Sequence, residues 1–218
     1  DALTHALEAL VSTYATEYTN PMALESIRLL FEYLPRAYKK GAADPEAREK
    51  VHHAANMAGM AFSNAFLGVC HSMAHKLGAF FHIPHGLANA LLINQVIRFN
   101  ANDAPTKQGT FPMYRYPQAA ERYSRAADYL GLGGKNIEEK VERLIIAIDR
   151  LKKELELPAS IEAAGVEASE FTDKIEAMSE AAFDDQCTGT NPRFPLIREI
   201  HSLYELAYRG EVDAPKAE

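Results

Sequence analysis

Four histidines crowd one short stretch of this chain, and no other feature limits its fold and chemistry as strongly. His71, His75, His82 and His85 lie within residues 70–86, between two apolar segments, and the whole chain has eight histidines. Imidazole is the commonest protein ligand for zinc, iron and related ions. A single histidine in apolar surroundings is more often a plain core or surface residue, but so dense a group favours a metal site.

The spacing of the candidate ligands suggests helices. His71 and His75 are four residues apart, so on a helix both side chains lie on one face, roughly 5–6 Å apart at Cβ. Asp1 and His5 show the same spacing and add a carboxylate. A metal site usually takes three or four protein ligands. The residues alone therefore offer more ligands than one ion needs, and they do not decide which imidazoles bind.

Helix caps and apolar stripes recur along the chain, and no segment shows sustained alternation of apolar and polar residues. Asn20-Pro21 and Asp44-Pro45 each indicate an N-cap followed by a first-turn proline. The predicted helices span residues 1–14, 21–40, 45–65, 87–99, 117–130, 137–155, 169–183 and 195–208, with one more through the histidine stretch. We therefore expect an all-α domain at residues 1–210, followed by a polar tail at 211–218.

Two of these helices are predicted to be buried. Residues 54–65 are dense in alanine and glycine, which let neighbouring backbones approach closely, and residues 87–99 are apolar nearly all round. His52 and His53 are interpreted as solvated. Tyr18 is interpreted as a packed turn residue rather than a subunit contact. The proline-rich stretch at residues 100–117 is expected to be a long surface loop, either functional or an insertion.

Charge and cysteine content exclude several classes of protein. The 23 basic and 30 acidic side chains give a net charge of −7, which argues against a nucleic-acid partner. Two cysteines are too few for a disulfide framework, so a reducing cytoplasm is the expected location. The longest apolar run is interrupted and too short for a membrane span, and no signal peptide is recognised. With 47% hydrophobic residues, the chain has ample material for a packed core.

Three separated motifs together resemble the iron-dependent alcohol dehydrogenase family. They are Asp1-x3-His5, the segment from Phe62 to Gly78 with its His71-x3-His75, and Pro84-His85-Gly86. Residues 1–8 and 70–89 are similar, more closely, to the C-terminal part of the bifunctional aldehyde–alcohol dehydrogenases. The resemblance covers nearly the whole chain. It implies a helical metal-binding domain of the dehydroquinate synthase-like type, without the α/β nucleotide-binding half that lies upstream in the family.

The resemblance also implies roles for single residues. By the family pattern, the metal ligands are Asp1, His5, His71 and His85. His75 is then a catalytic-pocket residue that does not bind the ion. The spacing of His71 and His75 alone would suggest a ligand pair of the metalloprotease type. Such a pair requires a glutamate beside the first histidine, where this chain has Ser72. For His75, a proton relay and a purely structural contact with a ligand or the nicotinamide remain open. Phe62 corresponds to a cofactor-binding position against the nicotinamide, though an aromatic at helical spacing is more often plain core.

The implied function is that of the metal-binding half of an NAD-dependent alcohol dehydrogenase acting on acetaldehyde and ethanol. In such an enzyme the divalent ion polarises the carbonyl as a Lewis acid, and the hydride belongs to the nicotinamide. Iron is the implied ion, although three imidazoles and a carboxylate also suit zinc. The bifunctional relatives form helical filaments, so a homo-oligomer is expected of the parent protein.

Two other functions are retained as alternatives. One is a zinc-dependent polyol dehydrogenase-like domain, and the other is a helical metal-binding or assembly fragment without turnover. Because the first residue is itself a predicted ligand, we expect the chain to be part of a longer protein.

The cluster Gly131-Leu132-Gly133-Gly134 follows a helix rather than a strand, so it is no dinucleotide fingerprint. We therefore expect no useful alcohol oxidation by these 218 residues alone.

Overall fold

The computed structural model describes residues 1–102 and 118–212. The regular structure within these residues consists of α-helices and short 3-10 helices, with no strand. This confirms the all-α prediction. The α-helices are α1 (Ala2–Val11), α2 (Thr19–Lys40), α3 (Pro45–Ala65), α4 (Val69–Phe81), α5 (His85–Ala101), α6 (Ala119–Tyr129), α7 (Ile137–Glu154), α8 (Ala168–Phe183) and α9 (Ile197–Arg209). None of the described helices is long and apolar enough to cross a bilayer. Most of the predicted 100–117 loop and of the 211–218 tail lies outside the described residues.

Helix α1 is buried over most of its length. It packs against α2, α3, α5 and α6, and Leu7 and Leu10 are fully buried in the main core cluster. Its N-terminal end carries Asp1 and His5. The buried half of α1 therefore fixes the position of the two predicted ligands at its other end.

Several helix boundaries differ from the sequence prediction by one to three residues, and for two of them the structure shows the cause. Helix α1 ends at Val11 rather than near residue 14, because Ser12 leaves the helical conformation and its hydroxyl donates to the Ala65 carbonyl of α3. Helix α2 begins at Thr19, so Asn20 lies inside the helix and its backbone N–H already donates to the Thr16 carbonyl. The sequence prediction misplaced both boundaries. A hydrogen bond to a residue distant in sequence sets the end of α1, and a turn before α2 sets its start.

The two helices predicted to be buried behave differently. Helix α5 is buried nearly all round, as expected. Helix α3 buries only one face, made of Ala47, Ala54, Ala58, Ala61 and Ala65, while His52 and His53 are exposed. Asp44 caps this helix by accepting the Ala47 N–H at 3.1 Å. The small residues of α3 therefore allow close packing on one face of the helix, and the helix is not buried on every side.

Helix α4, which carries the histidine stretch, is capped by side chains from distant parts of the chain. Asn191 Oδ1 accepts the Val69 N–H at 3.1 Å, and Glu8 Oε1 accepts the Cys70 N–H at 2.7 Å. Gly68 lies directly beneath both acceptors. The first turn of α4 is thus tied to α1 and to the loop before α9, which fixes where its histidines lie.

We predict that Gly68→Ala lowers the free energy of unfolding by about 1–3 kcal/mol. A Cβ at this position would lie 2.7 Å from Asn191 Oδ1 and 2.9 Å from Glu8 Oε1, so both caps must move. Gly59→Ala is the matched control, because a Cβ there meets nothing within 4 Å and alanine favours a helix by roughly 1 kcal/mol over glycine. Urea unfolding followed by circular dichroism measures both variants. Equal unfolding free energies for the two variants would contradict the tight approach at Gly68.

Candidate metal centre

Four side chains converge at the meeting point of α1, α4 and α5. The ligand atoms of Asp1, His5, His71 and His85 all lie within 4.8 Å of one another. Asp1 is at the centre: its Oδ1 lies 3.2 Å from His85 Nε2 and 3.6 Å from His71 Nε2, and its Oδ2 lies 3.6 Å from His5 Nδ1. The structure thus brings together the four residues that the family resemblance implied as ligands.

Helix packing places each imidazole. His71 stands in the first turn of α4 and is 1% exposed, and its ring stacks on that of His5 with 4.6 Å between centroids. His85 is the first residue of α5. Gly86 lets this helix start close to α1, since a Cβ there would already be 3.4 Å from the Asp1 Cβ. A Cβ at this position would thus touch Asp1, the N-cap residue of α1.

The environment of the cluster favours neutral imidazoles. Burial, reinforced by the neighbouring His71, lowers the pKa of His5 to about 3. Burial, followed by the neighbouring His71 and His75, also lowers the pKa of His85. A neutral imidazole has a free lone pair on one ring nitrogen, which is the form that binds a metal ion.

The donor set fits a divalent cation. It combines one carboxylate with three imidazoles, a set that suits iron and zinc. His71 Nε2 is buried, has no hydrogen-bond partner and faces Asp1 Oδ1. Buried polar atoms without partners are rare in folded proteins and call for an explanation, such as a bound ion. A cation held between Asp1 and the imidazoles would satisfy this nitrogen.

Two buried polar side chains at the cluster were missed by the sequence analysis. Asn89, one turn after His85, places its Nδ2 3.2 Å from Asp1 Oδ1 and 3.2 Å from His85 Nε2. Glu8 is 1% exposed and its Oε2 lies 2.6 Å from His71 Nδ1. Glu8 could have been found, because it is the one carboxylate within α1 (Ala2–Val11) and lies three residues after His5 on the same helix.

His75 does not join the four converging ligand atoms. Its Nδ1 lies 3.0 Å from Asp185 Oδ2, and its ring stacks on His85 with 5.6 Å between centroids. Lys76 Nζ lies 2.8 Å from the same Asp185 oxygen. Burial alone raises the pKa of the Asp185 carboxyl, but hydrogen bonds from Lys76 and His75 outweigh it and bring the pKa down to about 2. Asp185 is therefore an anion that holds one nitrogen of His75.

A second group of possible ligand atoms, from His75, Asp185 and Cys187, is a poorer metal site. These atoms also lie within 4.8 Å of one another. The Lys76 ammonium already pairs with the Asp185 carboxylate. Burial, followed by the nearby Asp185, raises the pKa of the Cys187 thiol to about 12, so it stays protonated. The group is better described as an ion-pair network than as a cation site.

The remaining candidates lie at the edge of the cluster or away from it. Phe62 is half-buried and stacks on His5 with 4.4 Å between ring centroids. His82 is exposed at the end of α4, in the left-handed conformation with φ +57°. Tyr18 is 85% exposed, so its interpretation as a packed turn residue was wrong.

Comparison with known proteins extends over almost the entire chain. The C-terminal model of the Fe-containing alcohol dehydrogenase family matches residues 1–208. The chain is 56% identical over 212 residues to the bifunctional aldehyde-alcohol dehydrogenase AdhE of Escherichia coli (strain K12), an alignment covering 96% of this chain and 24% of that protein. It is 42% identical over 214 residues to the NADPH-dependent butanol dehydrogenase of Clostridium saccharobutylicum, covering 98% of this chain and 50% of that protein.

A solved structure has the same fold. The iron-containing alcohol dehydrogenase from Thermococcus thioreducens superposes with a TM-score of 0.82 at 35% identity, covering 97% of this chain and 49% of that one. The chain thus spans between a quarter and a half of the length of these relatives.

Proposed function

This chain belongs to the Fe-containing alcohol dehydrogenase family, and on that premise we propose that it forms the metal-binding part of an NAD-dependent enzyme that interconverts ethanol and acetaldehyde. The observation that carries the proposal is the convergence of the carboxylate of Asp1 with three imidazoles, one of which has a buried nitrogen without a partner. The similarity to proteins named as aldehyde-alcohol dehydrogenases supports interconversion of an aldehyde and an alcohol, and we take the acetaldehyde–ethanol pair from the family resemblance.

Asp1, His5, His71 and His85 would hold the ion. When bound, a divalent ion supplies Lewis-acid polarisation of the substrate oxygen. Asp1 contributes negative charge, and the imidazoles contribute lone pairs while adding no charge of their own. We propose Fe²⁺ from the family, with Zn²⁺ as the second candidate, because this donor set suits both ions.

We propose that His75 moves the proton of the reaction. Oxidation of an alcohol to an aldehyde releases a hydride, taken up by NAD⁺, and a proton. Asp185 holds Nδ1 of His75, which leaves Nε2 on the other side of the ring to exchange that proton. The side chain is 35% exposed, so it connects the cluster with solvent. Its ring stacks on the proposed ligand His85, but its hydrogen-bond partner is Asp185 and not a ligand, so we favour the relay over a structural role that supports a ligand.

Phe62 completes the proposed pocket. Its ring covers one face of His5 and so limits the access of water to a proposed ligand. A dry site strengthens every electrostatic interaction within it. We further propose that Phe62 contacts the nicotinamide, as the family resemblance implies.

The proposal also includes partners and location. A nucleotide-binding half from outside these 218 residues supplies the NAD site, and self-association into a homo-oligomer or filament is expected of the complete protein. Both cysteines, Cys70 and Cys187, are free and buried, as a reducing compartment such as the cytoplasm would leave them.

The proposed function is tested by comparing this chain alone with the same chain joined to the α/β half of an aldehyde–alcohol dehydrogenase. We expect the chain alone to bind one divalent ion but to reduce no acetaldehyde, because hydride transfer requires the cofactor to be held against the substrate. The joined protein should oxidise NADH with acetaldehyde when loaded with Fe²⁺. The absorbance of NADH at 340 nm measures the rate of acetaldehyde reduction by both proteins. A joined protein that binds NADH and Fe²⁺ but reduces no aldehyde would refute the proposal, as would robust turnover by the chain alone.

A further inference from the structure

Glu8 is a carboxylate in the core of the protein. It is 1% exposed, lies on α1 seven residues after Asp1 and three after His5, and has the fully buried Leu7 and Ala9 as neighbours. Burying a carboxylate is costly unless its oxygens are hydrogen-bonded. A glutamate in this position therefore needs partners that a neutral or apolar residue would not satisfy.

Both oxygens of Glu8 have such partners, and they are consecutive residues of α4. Oε1 accepts the Cys70 backbone N–H at 2.7 Å, and Oε2 lies 2.6 Å from His71 Nδ1. The contact at the first turn of α4 also places the negative charge at the positive end of that helix. A backbone N–H can only donate, so Oε1 must be an acceptor. A carboxylate accepts through both of its oxygens, and on that basis we assign the ring proton of His71 to Nδ1.

The consequence appears on the other side of the imidazole. A neutral imidazole with its proton on Nδ1 has its lone pair on Nε2. In this structure, His71 Nε2 is the buried nitrogen that has no partner and faces Asp1 Oδ1. Glu8 thus directs the lone pair of His71 towards the point where the four ligand atoms converge.

We propose that Glu8 is a positioning residue of the metal centre, which fixes the tautomer and orientation of His71 so that Nε2 is presented to the ion. The proposal rests on the metal site of the proposed function. A carboxylate behind a ligand histidine raises the basicity of the ligand and holds its ring, and loss of such a partner typically weakens metal binding 10- to 100-fold. With Asp1 it would also supply a second negative charge near the cation.

An amide of the same size cannot replace this carboxylate. In Glu8→Gln, the amide oxygen can accept the Cys70 N–H, but the NH₂ group then donates to His71 Nδ1 and moves the ring proton to Nε2, where the ion would bind. In the opposite orientation, the NH₂ group faces the Cys70 N–H, donor against donor. Either arrangement disturbs a contact that the glutamate satisfies at 2.6–2.7 Å.

Glu199 offers a matched control. Like Glu8 it accepts a backbone N–H at the start of a helix, that of Leu196 at 2.8 Å, and its other oxygen accepts from Arg193 at 2.6 Å. It lies at α9 and contacts none of the four proposed ligands. Glu199→Gln therefore shows how replacing a helix-capping carboxylate by an amide affects folding and metal affinity when the carboxylate lies away from the proposed ligands.

Metal affinity is the first readout. Titration of the chain with Zn²⁺ and Co²⁺ against a chromophoric chelator should give a 10- to 100-fold higher dissociation constant for Glu8→Gln, and an unchanged one for Glu199→Gln. Circular dichroism confirms that each variant is folded. Folded Glu8→Gln with wild-type affinity would overturn the proposal.

The tautomer of His71 is the second readout, and it requires no metal. Long-range ¹H–¹⁵N spectra of the metal-free chain, labelled with ¹⁵N-histidine, show which nitrogen of each ring is protonated, and His71→Gln assigns the signal. We expect the proton of His71 on Nδ1, and on Nε2 in Glu8→Gln. A proton on Nε2 in the wild-type chain would overturn the role of Glu8. Wild-type chain that binds no ion would instead contradict the proposed function, while the tautomer still decides the question for Glu8.

Discussion

Replacing His71 with alanine is expected to weaken the binding of a divalent ion by at least about 100-fold, since a ligand contributes more than the 10- to 100-fold of the residues that support it. His71 is the most buried of the four proposed ligands, and its unpaired Nε2 points at Asp1. Alanine removes this donor and leaves the Glu8 carboxylate buried without its imidazole partner. Competition with a chromophoric chelator measures the affinity, and elemental analysis of the purified chain measures the metal content.

The matched controls are His53→Ala and His82→Ala. Both histidines are exposed and belong to neither group of possible ligand atoms in the described part of the chain. These variants should keep wild-type affinity and stoichiometry. Unchanged metal content in folded His71→Ala would remove this histidine from the site and with it the proposed ligand set.

Replacing His75 with alanine in the joined enzyme is expected to lower kcat by roughly 10²–10⁴, the range of general acid–base catalysis, while the metal content stays the same. The imidazole that exchanges the proton is lost, whereas all four proposed ligands remain. Added imidazole should restore part of the rate to His75→Ala, because a small base can enter the vacated space. Steady-state kinetics and elemental analysis on the same preparation distinguish a loss of kcat from a loss of bound metal.

His201→Ala is the control for this experiment, because His201 lies on α9 and pairs with Glu205 rather than with the cluster. It should leave kcat and metal content unchanged. If His75→Ala loses metal in parallel with activity, then His75 is itself a ligand and the proposed set is wrong. Full activity in His75→Ala would refute the proton relay.

Local sequence signals were sufficient for the helical class and for most of the helices. Asp44-Pro45 opens α3 as predicted, and Gly41, with φ +53°, ends α2. These signals act within a few residues, so they can be recognised without knowledge of the fold. The start of α2 and the end of α1 were misplaced because a turn at Thr16 and a hydrogen bond from Ser12 to another helix determine them.

The site was only partly predictable for the same reason. Spacing alone allowed His71 and His75 as a ligand pair, and only the family resemblance separated them. The structure shows a physical basis for that difference, since His71 turns towards Asp1 while His75 turns towards Asp185, which is distant in sequence. Asn191, which caps α4 from the loop before α9, likewise has no local signature.

The central claim is that one divalent ion binds where α1, α4 and α5 meet. Crystals of this chain grown with Zn²⁺ or Co²⁺ and measured at the metal absorption edge test it directly. We expect one strong anomalous peak about 2.0–2.2 Å from the ligand atoms of Asp1, His5, His71 and His85. A peak among His75, Asp185 and Cys187, or no peak beside Asp1 at saturating metal, would contradict the claim.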